Sequence, residues 1–129
     1  MIVDDTSVWI DFLSGRPTPQ VGLLQDLLGA ELLLVGDLIL LEVLQGVRSE
    51  AEAARVAAAL GRFDIPLMLD PQLAVLAASH YRRLRTLGVT MRKTVDLIIG
   101  TFCIANDHAL LTADRDFIPM ATHLGLRLV

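Results

Sequence analysis

Short apolar runs alternate along the chain with longer segments that have the periodicity of an amphipathic helix. The short runs predict β-strands at residues 1–4, 32–35, 67–69, 109–112 and 126–129. The periodic segments predict helices at residues 7–13, 21–28, 37–47, 50–60, 70–88, 94–106 and 117–123. Strands that alternate with helices form a parallel sheet with helices on both faces. The predicted fold is therefore α/β, a three-layer α/β/α domain with a short parallel sheet flanked by helices.

Polar residues mark where several of these helices begin. Asp37 and Asp70 stand at N-cap positions, and Pro71 follows Asp70 at the first helical position. Asp5 offers similar capping chemistry to the first helix. No linker, internal repeat or low-complexity tract interrupts the pattern, so we expect residues 1–129 to form a single domain.

The composition is that of a globular protein that needs neither disulfides nor a membrane. Of the 129 residues, 53% are hydrophobic and 20% are charged, which is enough apolar material for a core. Cys103 is the only cysteine, as is typical of a protein in a reducing cytosol. Asp4 and Asp5 stand where a signal peptide needs basic and then apolar residues, and no apolar run approaches the roughly 20 residues that cross a bilayer. We therefore expect a cytoplasmic protein without membrane contact.

The charges are distributed unevenly. The formal net charge is −4, which by itself argues against a nucleic-acid partner. No acidic residue occurs between Asp70 and Asp96. The bases within this interval, called here the basic strip, are Arg82, Arg83, Arg85, Arg92 and Lys93. Such a strip beside an acidic centre is expected of a surface that binds nucleic-acid phosphates, and equally of an ordinary solvated helix face. Charge alone leaves both interpretations open.

Two carboxylates occur in strongly apolar predicted helices. Glu42 lies among leucine, isoleucine and valine residues, and Asp96 is the only charge between residues 94 and 106. An ionised carboxylate in such surroundings is costly unless it is paired or binds a cation. A plainer interpretation is that Glu42 reaches water from the helix edge and that Asp96 complements the helix dipole. Gly46 and Gly100 follow these acids by one helical turn and would leave room for a close approach.

Three further acids follow predicted strands. Asp5 comes after the first strand, and Asp114 and Asp116 come after the strand at residues 109–112. Sites gather at the carboxyl ends of parallel strands, although each of these acids can instead cap the next helix. Crowded carboxylates repel one another unless a cation neutralises them, and oxygen ligands favour Mg²⁺ or Mn²⁺ over zinc. A metal held by acids beside a basic strip suits phosphodiester hydrolysis.

Four acid-containing segments occur in a recognisable order. They read VDDTSVWIDFL at residues 3–13, LEVLQG at 41–46, RKTVDLII at 92–99 and LLTADRDF at 110–117. Together with HLGL at 123–126, they extend over essentially the whole chain. The combination resembles PIN-domain ribonucleases, and especially the VapC toxins of prokaryotic toxin–antitoxin pairs.

The resemblance implies a magnesium-dependent endoribonuclease that is a homodimer and is neutralised by an antitoxin. The implied acidic quartet around the metal is Asp5, Glu42, Asp96 and Asp114. Asp116 falls where many such proteins have an additional acid. Thr6 or its neighbour Ser7, together with Thr112, would orient these carboxylates by hydrogen bonds. The basic strip would hold the RNA backbone.

One departure from the family pattern is Asp4, because family members commonly carry an aliphatic residue there. Asp5 directly precedes Thr6 and Ser7, as the implied metal ligand should, so Asp5 is taken as the ligand. The doubled acid leaves open whether Asp4 also contributes to the site.

Other classes of protein fit the sequence less well. A receiver domain needs a phosphoacceptor aspartate after its third strand, but Asp70 lies 65 residues beyond Asp5, which is too far. A receiver also needs a lysine after its last strand, whereas Lys93, the only lysine, precedes a helix. An aspartyl-phosphate phosphatase needs an Asp-x-Asp pattern, which Asp4 and Asp5 do not supply. A non-catalytic PIN-like scaffold stays an alternative, although the presence of all four acids counts against it.

The acids and the high apolar content also suggest how such an enzyme would be restrained. An inserted arginine can make charge-assisted, often bidentate contacts with carboxylates and compete with the metal. Apolar patches would serve a partner helix and a dimer interface. We therefore expect a small VapB-like antitoxin that places a basic side chain among the four acids.

Overall fold

The computed structural model describes residues 1–30 and 32–129. Among these residues, four parallel strands form one sheet that is connected by seven α-helices and one 3₁₀ turn. The strands are β1 (Ile2–Asp4), β2 (Leu33–Leu34), β3 (Ala109–Leu111) and β4 (Arg127–Leu128). The helices are α1 (Thr6–Leu13), α2 (Pro19–Leu28), α3 (Asp37–Gln45), α4 (Glu50–Leu60), α5 (Pro71–Thr86), α6 (Thr94–Ala105) and α7 (Ile118–Leu124). The 3₁₀ turn spans Arg115–Phe117. The predicted α/β fold with a short parallel sheet is confirmed.

The sheet order β2-β1-β3-β4 places the first strand beside a strand from the far end of the sequence. Val3 of β1 is in register with Leu34 on one side and with Leu110 on the other. Beyond the last pair of β1 and β3, the Asp5 amide donates to the Leu111 carbonyl at 2.9 Å. Asp5 and the residues after β3 therefore lie at the same edge of the sheet.

The core surrounds the sheet and the helix α6. Val3, Leu110 and Leu111 are fully buried, as expected of a parallel sheet that is covered on both faces. Every residue of α6 from Asp96 to Cys103 is buried. Within the part of the chain that the structure describes, no helix is both long enough and apolar enough to cross a bilayer.

The prediction of a strand at residues 67–69 is wrong. These residues form an extended loop in which Met68 is buried, whereas Leu67 and Leu69 are 80% and 46% exposed. Exposure thus alternates along this apolar run as it does in a strand, but the loop hydrogen-bonds to the start of α3 instead of to a strand. The amide of Met68 donates to Asp37 Oδ1 at 3.0 Å, and the amide of Asp37 donates to the Pro66 carbonyl at 3.1 Å.

The prediction that Asp37 is the N-cap of α3 is also wrong. The N-cap of α3 is Gly36, and Asp37 is already inside the first turn, where its carboxylate also accepts from the Leu38 amide at 2.9 Å. The cap predicted at Asp70 is confirmed, because its carboxylate accepts from the Leu73 amide at 2.8 Å.

Candidate metal centre

Acids from four separate parts of the fold line one cleft of about 420 Å³, called here the acidic cleft. Asp5 stands just before α1, Glu42 lies on α3, Asp96 lies in the first turn of α6, and Asp114 precedes the 3₁₀ turn. The other lining residues are Thr6, Ser7, Ile10, Gln45, Gly46 and Lys93. The structure therefore brings together the four acids that the sequence analysis placed around a metal.

Within the described residues, the closest group of acids has a different membership. Asp96, Asp114 and Asp116 each offer a carboxylate oxygen, and these oxygens lie within 4.8 Å of one another. Asp5 and Glu42 line the same cleft but are outside this group, called here the acidic triad. Three oxygen donors at this separation suit a hard divalent ion such as Mg²⁺ or Mn²⁺, so the residues fit the metal that the resemblance implies.

Hydroxyl groups fix the carboxylate of Asp5. Ser7 Oγ donates to Asp5 Oδ2 at 2.8 Å, and Thr112 Oγ1 donates to the same oxygen at 2.9 Å. The Asp5 side chain makes no capping hydrogen bond to α1, although the backbone of Thr6 and Ser7 opposes the rise in its pKa, so this carboxylate lies in the cleft beside the helix start. Thr112 Oγ1 also accepts from the Asp114 amide at 2.9 Å. A single hydroxyl therefore connects the two acids that follow β1 and β3.

The remaining acids are positioned by equally short contacts. Thr6 Oγ1 donates to Glu42 Oε1 at 2.8 Å, which joins the start of α1 to α3. Asp114 Oδ1 accepts from the Asp116 amide at 2.9 Å and so caps the 3₁₀ turn. Asp114 therefore caps the 3₁₀ turn and lines the acidic cleft at the same time.

Burial and mutual repulsion make the acidic cleft ready to accept positive charge. Burial, reinforced by the negative charges of Asp5, Asp114 and Glu42, raises the pKa of Asp96 to about 6, although the nearby Lys93 opposes the shift. Burial also raises the pKa of Asp5, against the opposing effect of the Ser7 and Thr112 hydroxyls. Such carboxylates favour a bound proton or a bound cation over the free anion.

Asp4 occupies a different environment from its neighbour Asp5. It is fully buried, and neither of its carboxylate oxygens has a hydrogen-bond partner. Burial and the charge of Asp5 raise the pKa of Asp4 to about 8. Successive side chains of a strand point to opposite faces, which explains why Asp5 lines the cleft and Asp4 does not. No signal in the sequence indicated that Asp4 would lack a partner.

The basic strip is divided between different surroundings. Lys93 lines the acidic cleft, whereas Arg82 lines an apolar groove between α5 and α6 together with Tyr81 and Leu97. The Arg85 guanidinium lies 5.8 Å from the centre of the Tyr81 ring. Arg83 and Arg92 are exposed. The ion pairs formed among residues 1–30 and 32–129 are Arg16–Asp11 and Arg127–Asp107, so no base of the strip has a carboxylate partner there.

The two glycines near the acids differ from each other. Gly46 lines the acidic cleft, and a Cβ there would meet only backbone oxygens, the nearest at 3.6 Å. The expectation that Gly100 leaves room for a ligand beside Asp96 is wrong, because Met120 of α7 fills that space. Nothing in the sequence distinguished Met120, because a methionine in an apolar helix is an ordinary core residue.

Comparison with known proteins gives a consistent result. The family model described as the PIN domain matches residues 2–122. Among solved structures, VapBC2 from Rickettsia felis bound to a promoter DNA fragment matches with a TM-score of 0.78 and 18% identity, over 100% of this chain and 98% of that chain. A toxin–antitoxin complex from Klebsiella pneumoniae matches at 0.73 and 20%, over 100% and 96%. FitAcB from Neisseria gonorrhoeae matches at 0.73 and 18%, over 99% and 96%. At these identities the structural matches show a shared fold.

Proposed function

Because the chain belongs to the PIN-domain family, we propose that it is a Mg²⁺- or Mn²⁺-dependent endoribonuclease toxin of the VapC type. Residues 1–129 would act as one domain, in the cytoplasm, on the RNA of its own cell. The observation that carries the proposal is the convergence of Asp5, Glu42, Asp96 and Asp114 on one cleft. Asp116 completes the acidic triad, and Lys93 supplies a positive charge for a phosphate at the edge of the same cleft.

The chain's own residues would hold the metal and orient the substrate. Asp96, Asp114 and Asp116 are the residues that would hold a divalent ion, because their oxygens already lie within 4.8 Å of one another. The bound ion would supply charge neutralisation at the phosphate and activation of water. Asp5, held by two hydroxyls, and Glu42, held by Thr6, keep fixed orientations in the same cleft. Fixed donors and acceptors of this kind need no reorganisation during the reaction.

The direct test is cleavage of total RNA by the purified protein with Mg²⁺, followed by mapping of the cut ends. Asp96→Asn and Asp5→Asn are expected to abolish cleavage while the fold persists, because each removes a carboxylate of the cleft. Asp26→Asn is the matched control, since it makes the same charge change on an exposed part of α2. Near wild-type cleavage by either cleft variant, or strong cleavage in EDTA, would refute the proposal. Ca²⁺ should bind without comparable turnover because its coordination is longer and looser.

A continuous surface path supports the proposal that an antitoxin restrains the enzyme. Ile10 and Gly46 line both the acidic cleft and a neighbouring groove of about 400 Å³. Leu13 and Val56 line that groove and also an apolar groove of about 220 Å³ that includes Trp9. An amphipathic segment that lies along this path would reach the acids with its end. An arginine at that end can pair with the carboxylates and exclude the metal.

The antitoxin proposal is tested by co-expression with the product of a neighbouring reading frame. Growth arrest is expected from this protein alone and should disappear when the pair is expressed. Leu13→Glu should keep RNA cleavage but lose neutralisation, because Leu13 is 45% exposed in the path. Leu87→Glu is the control, since Leu87 is 50% exposed just beyond α5 and does not line the path. Harmless expression of a protein that still cleaves RNA would identify a housekeeping nuclease instead of a toxin.

We propose a homodimer as well, supported by large exposed apolar side chains around the start of α5. Leu67 is 80% exposed, Val75 is 72% exposed and Leu69 is 46% exposed. Large apolar side chains that are exposed close together in the sequence suit a protein–protein interface. Light scattering is expected to give the mass of a dimer for the wild type and of a monomer for Val75→Glu. A monomeric wild type at micromolar concentration would contradict this part of the proposal.

A further inference from the structure

We infer that Met120 is a positioning residue that sets the spacing of the acidic triad by packing against Gly100. The inference rests on the proposed metal site, although its test measures ion binding and not RNA cleavage. Asp96 belongs to α6, whereas Asp114 and Asp116 belong to the segment that leads into α7. The distance between these two parts of the chain therefore decides whether three carboxylates can share one ion.

The packing of α7 on α6 is unusually close at one point. A Cβ added to Gly100 would overlap Met120 Sδ and would lie 2.6 Å from Met120 Cε. Met120 is fully buried, so its side chain cannot swing into solvent to relieve such an overlap. Leu126 packs on the same point, with its Cδ2 at 3.8 Å from the added Cβ. A side chain larger than that of glycine would require Met120 to change its conformation within the core, or α7 to move.

Gly100 lies four residues from Asp96, and Met120 lies four residues from Asp116. Asp96 and Gly100 are four residues apart on α6, so they lie on the same face of the helix. On the other side, the 3₁₀ turn runs directly into α7, and its N-cap is Asp114. The amide of Asp116 is bonded to the Asp114 carboxylate, which keeps the turn rigid. A displacement of Met120 is therefore transmitted to Asp114 and Asp116.

The acids cannot set this spacing themselves. The carboxylate oxygens of Asp96, Asp114 and Asp116 lie within 4.8 Å of one another, so these groups repel one another when they are ionised. Without a bound ion, the fold must hold them together against that repulsion. The packing of Met120 on Gly100 adds a buried contact between α6 and α7 to the direct contact of the 3₁₀ turn with α6, and so opposes that repulsion.

The experiment measures Mn²⁺ binding by calorimetry on the purified full-length protein, with the unfolding midpoint recorded for each variant. Gly100→Ala is expected to lower Mn²⁺ affinity by about 10- to 100-fold, the range found when groups that orient metal ligands are changed. Gly100→Ala combined with Met120→Val should recover part of this loss, because the shorter side chain makes room for the added methyl group. Met120→Val alone should also weaken binding, and it carries the test if Gly100→Ala does not fold.

Two matched glycine variants separate positioning from general damage. Gly22→Ala adds the same methyl group to a helix with no neighbouring atom within 4 Å, so it should raise the unfolding midpoint slightly and leave Mn²⁺ affinity unchanged. Gly36→Ala overlaps Met68 at a point remote in sequence from the triad, so it should lower stability while the folded protein keeps its Mn²⁺ affinity. Wild-type affinity in Gly100→Ala, or an equal loss in Gly36→Ala, would overturn the inference. A wild-type protein that binds Mn²⁺ but cleaves no RNA would refute the ribonuclease proposal and leave this inference standing.

Discussion

Replacing Asp4 with asparagine is expected to stabilise the protein by an amount that increases with pH. Asp4 is fully buried and both of its carboxylate oxygens lack partners. Asparagine has nearly the same shape but no proton to gain or lose. The variant therefore isolates the cost of placing an ionisable group in the interior next to Asp5.

The magnitude follows from the difference between the folded and the unfolded pKa of Asp4. Its pKa is about 8 in the folded protein, compared with 3.8 for an ordinary aspartate. A raised pKa in the folded state means that stability is greatest below the unfolded value and is lost as the pH rises towards the folded value. Each pH unit in this interval costs the wild type ~1.4 kcal/mol. Between pH 5 and pH 7 the advantage of Asp4→Asn should therefore grow by about 3 kcal/mol.

The assay is urea unfolding of both proteins at pH 5, 6 and 7 in EDTA. The raised pKa values of Asp5 and Asp96 affect both proteins alike, so they largely cancel in the difference. Asp26→Asn makes the same substitution on an exposed part of α2 and is the control, with a change in stability of no more than about 0.5 kcal/mol expected. If the advantage of Asp4→Asn stays constant within about 0.5 kcal/mol over this range, Asp4 does not titrate as its burial requires.

Three further predictions concern single contacts. Thr112→Val removes the hydroxyl that donates to Asp5 and should lower RNA cleavage about 10- to 100-fold with the fold intact by circular dichroism; activity within twofold of wild type would contradict the role of this hydroxyl. Neutralising Arg92 and Lys93 together should make the salt dependence of single-stranded RNA binding shallower by about 1.4 in logarithmic slope, and an unchanged slope would assign them to a solvated surface. Gly125→Ala should cost about 1 kcal/mol in urea unfolding from backbone strain alone, because Gly125 has φ 79° and no atom near its side-chain position; an unchanged midpoint would exclude that strain.

Local chemistry made much of the fold predictable. The start of α5 follows from Asp70 and Pro71, and the structure confirms both the cap and the helix. The loop at residues 67–69 has the alternation of a strand, yet its amide hydrogen bond goes to Asp37, which is 31 residues away from Met68. A pattern that spans three residues carries no information about such a distant partner.

The same distinction applies to the site. Because parallel strands end at one edge of a sheet, the neighbourhood of Asp5 and Asp114 follows from element order alone. Element order does not predict the packing of Met120 on Gly100 or the position of Arg82 in a separate groove. Both depend on how α5, α6 and α7 are rotated against one another. Three-dimensional packing also decides that a carboxylate oxygen of Asp116, and not one of Asp5, lies within 4.8 Å of those of Asp96 and Asp114.

The pairing of β1 with β3 also has a consequence for the protein during its synthesis. One of the two hydroxyls that fix Asp5 belongs to the nearby Ser7, but the other belongs to Thr112, which is synthesised 107 residues after Asp5. The oxygens of Asp114 and Asp116 are needed to complete the acidic triad. A nascent chain that ends before Thr112 lacks that hydroxyl and the oxygens of Asp114 and Asp116, and β1 has no β3 to pair with. Translation products truncated before Thr112 should therefore lack the activity proposed for this protein.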